Sequence, residues 1–350
     1  MAPWLILLAA VSPLALRVEV EPLGKGATGT VVAVAVQVAP EEREQLGPRV
    51  RFHVEFWKGS QKLDDGSGVG ELAGDGSFLL YREWPSGEGL LRVQVSSLAR
   101  PQDDFHLVTP RPSMALELSR AKLFVRVGMD LDLWADDLLT AARNTSILRG
   151  ASGYVDCSIG VKKLEVPTGR VDPSMGDIHI YGNPHYLFDP ANAKIAARNI
   201  LEGLKRVDPA NAQIYQQSYE AFVRQVDEHL KRWQQTLAPY RGTPVVVYHK
   251  SLPYFLQRFG LQELATVEPK PGIPPSPGHL REVIARMKSA NCRVILLEHF
   301  RPRRFPDAIA RETGAKVVVL PAAVGAEGTT SYFSMMDAMV NRVASALAGR

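Results

Sequence analysis

Between residues 215 and 237, Tyr215, Tyr219, Phe222, Val226, Leu230, Trp233 and Leu237 recur three and four positions apart. A single helical face therefore stays apolar throughout. At about 1.5 Å per residue the segment makes roughly 35 Å of unbroken helix, stopping before Pro239. Upstream, Asp189-Pro190 and Asp208-Pro209 each read as an N-cap residue followed by proline at the first helical position. A helix that merely packs on one sheet needs no such length. Flanked on both sides by alternating helices and strands, this one reads as a stiff backbone for two lobes.

On its N-terminal side a helix at 113–120 precedes a strand at 122–127, and a helix at 131–143 precedes a strand near 154–159. On its C-terminal side the alternation is clearer. Strand 244–248 leads to helix 253–259, and strand 265–268 to a proline-rich loop at 269–277. Helix 279–290, strand 293–297, helix 307–313, strand 315–320 and helix 332–347 complete it. Strands rich in β-branched residues and alternating with helices mean parallel sheets covered on both faces.

Residues 17–98 differ. Period-two runs at 29–37, 49–57, 77–83 and 90–96 are punctuated by Asp64-Asp65-Gly66-Ser67-Gly68 and Gly74-Asp75-Gly76. Short alternating strands separated by turn residues predict an antiparallel β-sandwich. His53, inside one of them, reads as an ordinary strand histidine. The expected fold is thus α/β: two lobes with parallel sheets covered by helices, joined by one long rigid helix, plus an N-terminal antiparallel β-sandwich. The expected bounds are a β-sandwich-like domain at 17–98, an N-terminal α/β lobe at 99–188, linking helices at 189–240 and a C-terminal α/β lobe at 241–350.

Composition narrows the partners. The chain has 350 residues, 45% hydrophobic and 22% charged, with a net charge of +4, so it supports several cores. Its Lys and Arg are scattered, with no basic run interleaved with aromatics, which argues against a nucleic-acid partner. Cys157 and Cys292 belong to no metal-binding spacing and read as small buried hydrophobes. Residues 1–16 pair an apolar run with small residues after it, as a secretory signal peptide does, although no Lys or Arg precedes the run. No cysteine follows that run, so a lipid-anchored cysteine is not expected.

In an open parallel sheet, ligands bind beyond the carboxyl ends of the strands. His249 ends strand 244–248, His106 follows strand 90–96, and His185 lies in the loop before the helix that starts at Asp189. Any one of these is more often structural than ligating. Three in equivalent positions point instead to a divalent ion between two lobes, because imidazole is the commonest ligand for borderline-soft cations.

Gly176-Asp177-Ile178-His179, then Gly182-Asn183-Pro184-His185-Tyr186-Leu187-Phe188-Asp189-Pro190, resembles the NPHxxxDP signature of the metal-binding proteins of zinc and manganese ABC importers. Ala121-Lys122-Leu123-Phe124-Val125-Arg126-Val127-Gly128, Val246-Val247-Tyr248-His249 and the stretch EPKPGIPPSP at 268–277 are similar to that family as well. The resemblance covers about residue 90 to the C-terminus. It implies two lobes on a rigid linking helix and a metal buried between them, with His106, His185 and His249 as ligands. It also implies an ABC membrane permease as partner and an extracytoplasmic, periplasmic setting; the carrier itself is expected to be a monomer.

The chain departs from that pattern in one loop. Where many members supply a carboxylate after the last strand, residues 319–325 hold no Asp or Glu. The fourth place then falls to water or to Glu298 at the carboxyl end of strand 293–297, unless Glu298 instead accepts from an imidazole N–H. His179 and His299 are further candidates. Three neutral imidazoles favour Zn²⁺, whereas Mn²⁺ sites want more carboxylate, so Mn²⁺ is the alternative cargo. A zinc hydrolase with Glu298 as base is the rival reading, weakened by the lack of an HExxH motif. A metal-containing adhesin or assembly protein is another.

Overall fold

The structure, a computed structural model, describes residues 95–169 and 179–349, together with the backbone of five strands nearer the N-terminus. These are β1 (Arg17–Lys25), β2 (Gly29–Gln37), β3 (Arg49–Lys58), β4 (Gln61–Glu71) and β5 (Ser77–Pro85). One antiparallel sheet has the order β1-β2-β5, and β3 pairs antiparallel with β4. The 64–68 cluster expected as a turn instead lies within β4, where its backbone is carried along by pairing with β3. Context of this kind overrides a weak intrinsic strand preference. The packing of the two sheets into a sandwich, the apolar segment 1–16 and most of the expected strand at 90–96 lie outside the described residues. Val95 and Ser96, the end of that expected strand, are irregular.

In the N-terminal lobe, α1 (Pro112–Arg120), β6 (Phe124–Arg126), α2 (Trp134–Ala142) and β7 (Tyr154–Asp156) follow in turn, with β6 and β7 parallel. Met114, Leu118, Phe124, Leu138 and Ile147 form a core on one side of these strands. Val155, Tyr186, Ile200 and Leu204 form another, against α3 (Pro190–Val207). Helix α3 starts as expected: Asp189 Oδ1 accepts from the Ala191 N–H at 2.9 Å, with Pro190 at the first helical position.

The second expected cap is corrected. A short 3₁₀ turn, Pro209–Asn211, intervenes, and α4 (Ala212–Leu237) begins after Asn211 without a side-chain cap. The Asp208 carboxylate is otherwise engaged, accepting from Tyr215 Oη at 2.5 Å and Asn211 Nδ2 at 2.9 Å. Helix α4 has 26 residues, about 39 Å of length. Its buried face divides between the lobes: Tyr215 joins the N-terminal core, and Phe222, Val226, Trp233 and Leu237 join the C-terminal one. Anchored in both, the helix is the backbone its periodicity predicts.

The C-terminal lobe holds a four-stranded parallel sheet of order β11-β10-β8-β9, with β8 (Pro244–Val247), β9 (Gln262–Thr266), β10 (Val294–Glu298) and β11 (Lys316–Leu320). Every residue of β10 is buried. One face packs on α5 (Pro253–Phe259), α4 and α8 (Tyr332–Ala348); the other packs on α6 (Pro277–Ser289) and α7 (Arg304–Thr313). The chain runs outward from β8 to β9, then returns to β10 and β11 on the opposite side. That reversal opens a crevice beyond the carboxyl ends of β8 and β10, the place where such sheets bind ligands.

Several polar contacts brace the lobes. Arg258 on α5 donates to both carboxylate oxygens of Asp189 at 2.6 and 2.7 Å. Tyr254 Oη donates to the Asn183 carbonyl at 3.1 Å, and Tyr332 Oη to the Leu187 carbonyl at 2.8 Å.

Candidate metal centre

Each histidine of interest arrives on its own piece of backbone. His249 follows β8 and is almost wholly buried. Its Nδ1 lies 2.8 Å from Glu268 Oε2, just past the parallel neighbour β9. His106 stands in a loop where Asp104 Oδ1 accepts from both the His106 backbone N–H (3.1 Å) and its Nδ1 (2.7 Å). His185 repeats that device: Asn183 Oδ1 accepts from the His185 backbone N–H at 3.1 Å and from its Nδ1 at 3.0 Å. The two Asn183 amide hydrogens point elsewhere, to Glu165 Oε2 at 3.0 Å and to the Lys250 carbonyl at 2.7 Å, which fixes the amide orientation.

The three rings meet. Centroids are 5.0 Å apart for His106 and His185, 5.2 Å for His106 and His249, and 5.5 Å for His185 and His249. One nitrogen from each lies within 4.8 Å of the other two. They line a cavity of ≈ 20 Å³ with Glu298, Ser251 and Arg301, about the room one water or one ion occupies. With Nδ1 engaged, it is Nε2 that remains for a ligand, the usual division of labour at a histidine metal site.

Electrostatics favour the neutral, lone-pair-bearing form. Burial lowers the His106 pKa despite the pull of Asp104, and burial together with the neighbouring imidazoles holds His185 well below the ordinary 6.5. Arg301 spans the acceptors of both lobes, with Nη1 3.1 Å from Asp104 Oδ2 and 3.8 Å from Glu268 Oε1.

Glu298 stands at the site, as expected, with its Oε2 buried and without a hydrogen-bond partner. It ends β10 and lines the cavity, but no imidazole N–H reaches it; Ser251 Oγ donates to its Oε1. Asp104, Asn183 and Glu268 take the imidazole role instead. Burial raises the Glu298 pKa. His299 is structural: its Nε2 lies 2.7 Å from the Pro101 carbonyl, and its Nδ1 accepts from the Ala322 N–H at 3.2 Å. His179 does come to the cluster, with its ring 5.3 Å from that of His106 and 6.0 Å from that of His185. Among the described residues, the buried side-chain polar atoms without a partner are His106 Nε2, His179 Nε2, Glu298 Oε2 and Arg301 Nε. All belong to residues of this region.

The acceptors were the residues that sequence reasoning passed over. For two of them a signal existed: Asp104-Phe105-His106 and Asn183-Pro184-His185 share an Asx-x-His spacing, which lets one side chain close a turn and orient the ring two residues on. Asp130 and Glu268 serve histidines 49 and 19 residues away, and no local pattern marks them.

Two α/β lobes on a shared helix, with imidazoles from both converging on a cavity of one ion's size, define a metal-binding solute-binding protein. The chain belongs to the family of zinc-uptake complex component A, periplasmic (ZnuA), which it matches over residues 89–346. That family comprises periplasmic metal-binding components of ABC importers for zinc, manganese or iron. A putative metal-binding protein of Treponema pallidum is 23% identical over 269 residues, 76% of this chain and 84% of that protein. The manganese-binding lipoprotein MntA of Halalkalibacterium halodurans is 23% identical over 263 residues, covering 73% and 82%. A zinc-bound ZnuA deletion mutant superposes with a TM-score of 0.61 at 26% identity, covering 73% of this chain and 89% of that one. Among the described residues no helix is long and apolar enough to cross a membrane.

Proposed function

We propose that this protein is an exported, monomeric solute-binding protein that takes Zn²⁺ between its lobes through His106, His185 and His249. It delivers the ion to an ABC permease and catalyses no reaction. The observation that carries this is the meeting of three imidazoles, His106 and His185 from one lobe and His249 from the other, within 4.8 Å. Burial lowers the pKa of both His106 and His185, which favours the neutral form that a metal binds. Tetrahedral zinc, at about 2.0–2.1 Å from each nitrogen, needs nitrogens roughly 3.4 Å apart. Where a pair of nitrogens stands nearer the 4.8 Å limit than that, uptake draws its rings inward.

Helix α4, rooted in both cores, and the Arg258–Asp189 pair resist hinging, so the adjustment falls on the loops that carry the histidines. Neutral imidazole ligands favour Zn²⁺ over Mn²⁺, which prefers carboxylate. They also hold the ion less tightly than a closed thiolate cage, as delivery requires.

Equilibrium dialysis tests the reading. The purified protein takes up one Zn²⁺ per chain, resists displacement by excess Mn²⁺, and loses uptake in His185→Ala. Zinc uptake unaffected by His185→Ala, or preferential retention of Mn²⁺, overturns it.

A further inference from the structure

Three consecutive residues after β6 adopt left-handed backbone: Gly128 (φ 86°), Met129 (φ 49°) and Asp130 (φ 60°). For Met and Asp this conformation is costly, of order 1–3 kcal/mol each, and persists only where the surroundings enforce it. Here they do. Asp132 Oδ2 accepts from the Val127 N–H at 2.7 Å, and its Oδ1 accepts from Arg126 Nε at 3.0 Å and the Gly128 N–H at 3.3 Å. The Met129 side chain is buried in the lobe's core. The result of this strained, over-determined turn is the position of one carboxylate. Asp130 Oδ1 lies 2.5 Å from His179 Nδ1, and its Oδ2 accepts from the Ile180 N–H at 3.1 Å.

His179 is thereby built like the other three imidazoles. Each has Nδ1 on a side-chain acceptor, and the acceptor of His179 is held by this left-handed turn. Its Nε2 is buried without a partner, an expensive state for a polar atom unless a ligand arrives. Its ring borders those of His106 and His185 at 5.3 and 6.0 Å, just outside the cavity the three rings line and outside the group whose nitrogens lie within 4.8 Å of one another, so it joins the ion by a small inward shift. Glu298 is the competing fourth donor: Ser251 engages its Oε1, but its Oε2 is likewise buried without a partner and it lines the cavity.

We propose that His179 is a fourth imidazole ligand of the same ion, oriented by Asp130. The proposal rests on the metal-binding reading above. An all-imidazole set would select zinc against manganese more strongly than three imidazoles with a carboxylate.

The experiment compares the parent protein with His179→Ala, Asp130→Asn, Glu298→Gln and His185→Ala, each checked for fold by circular dichroism. Zinc affinity is read by competition with a chromophoric chelator, and coordination by the visible d–d bands of Co²⁺-loaded protein. The expected result is a loss of about tenfold or more in zinc affinity for His179→Ala, about 1.4 kcal/mol. It is accompanied by a changed cobalt spectrum and a smaller loss of affinity for Asp130→Asn. A His179→Ala protein with the parent's affinity and cobalt spectrum overturns the proposal, most directly if Glu298→Gln alters both. If His185→Ala also leaves zinc binding intact, it is the metal-binding reading itself that fails.

Discussion

Replacing Glu268 with alanine measures how much zinc affinity resides behind the imidazoles. Glu268 is buried, and its Oε2 lies 2.8 Å from His249 Nδ1 and accepts from the Gly272 N–H at 3.1 Å. Its other oxygen faces Arg301 Nη1 at 3.8 Å. Truncation removes a hydrogen bond to a charged acceptor, worth about 1.5–3 kcal/mol. It also lets the His249 ring turn and exchange tautomers, and leaves Arg301 with Asp104 alone. Partners behind metal-bound histidines change affinity by about 10–100-fold, or about 1.4–2.8 kcal/mol. The two routes agree, so the zinc Kd should rise by that factor. Glu268→Gln keeps an acceptor of the same reach and loses only charge, so its effect should sit near the lower end, about tenfold. Chelator competition at neutral pH gives the affinities, and thermal melts confirm the fold. A folded Glu268→Ala protein that binds zinc as tightly as the parent refutes the reasoning.

Other consequences are equally direct. Gly203→Ala on α3 places a Cβ 2.2 Å from Val155 Cγ2 and 3.1 Å from Leu123 Cδ1, so overpacking of about 1–3 kcal/mol should outweigh the better helix propensity and lower Tm. An unchanged or raised Tm contradicts the close approach of α3 to β7. Arg258→Ala breaks a bidentate pair on a partly exposed arginine and should destabilise the fold by about 1–2 kcal/mol, with faster hydrogen exchange at the Ala191 amide; normal protection there argues against the brace. Stability of the metal-stripped protein should depend on acidity. His106 and His185 have folded pKa values below 6.5, so at lower pH the unfolded chain binds protons that the folded one does not. Stability is therefore full above 6.5 and falls below it, by up to about 1.4 kcal/mol per pH unit for each group. Denaturant melts on either side of that pH check the sign; a flat profile would mean these rings titrate normally.

The linking helix and the C-terminal alternation of strands and helices were readable along the chain, because periodicity is a local consequence of burying one face. Helix 253–259 matches α5 end to end, and His249 and Glu298 stand at strand ends as their neighbours suggested. The Asx-x-His spacing at 104–106 and 183–185 was equally local, though it became informative only once the rings were seen to need acceptors. What the tertiary structure alone decided is everything that joins distant residues. Asp130 finds His179 through a left-handed turn, and Glu268 finds His249 because β9 lies beside β8 in the sheet. Ser251 engages one oxygen of Glu298 and leaves the other open, and Pro101 claims His299. Composition and spacing can nominate imidazoles for a metal. Which nitrogens face a common point depends on hydrogen bonds made across the fold, and those exist only after the chain has packed.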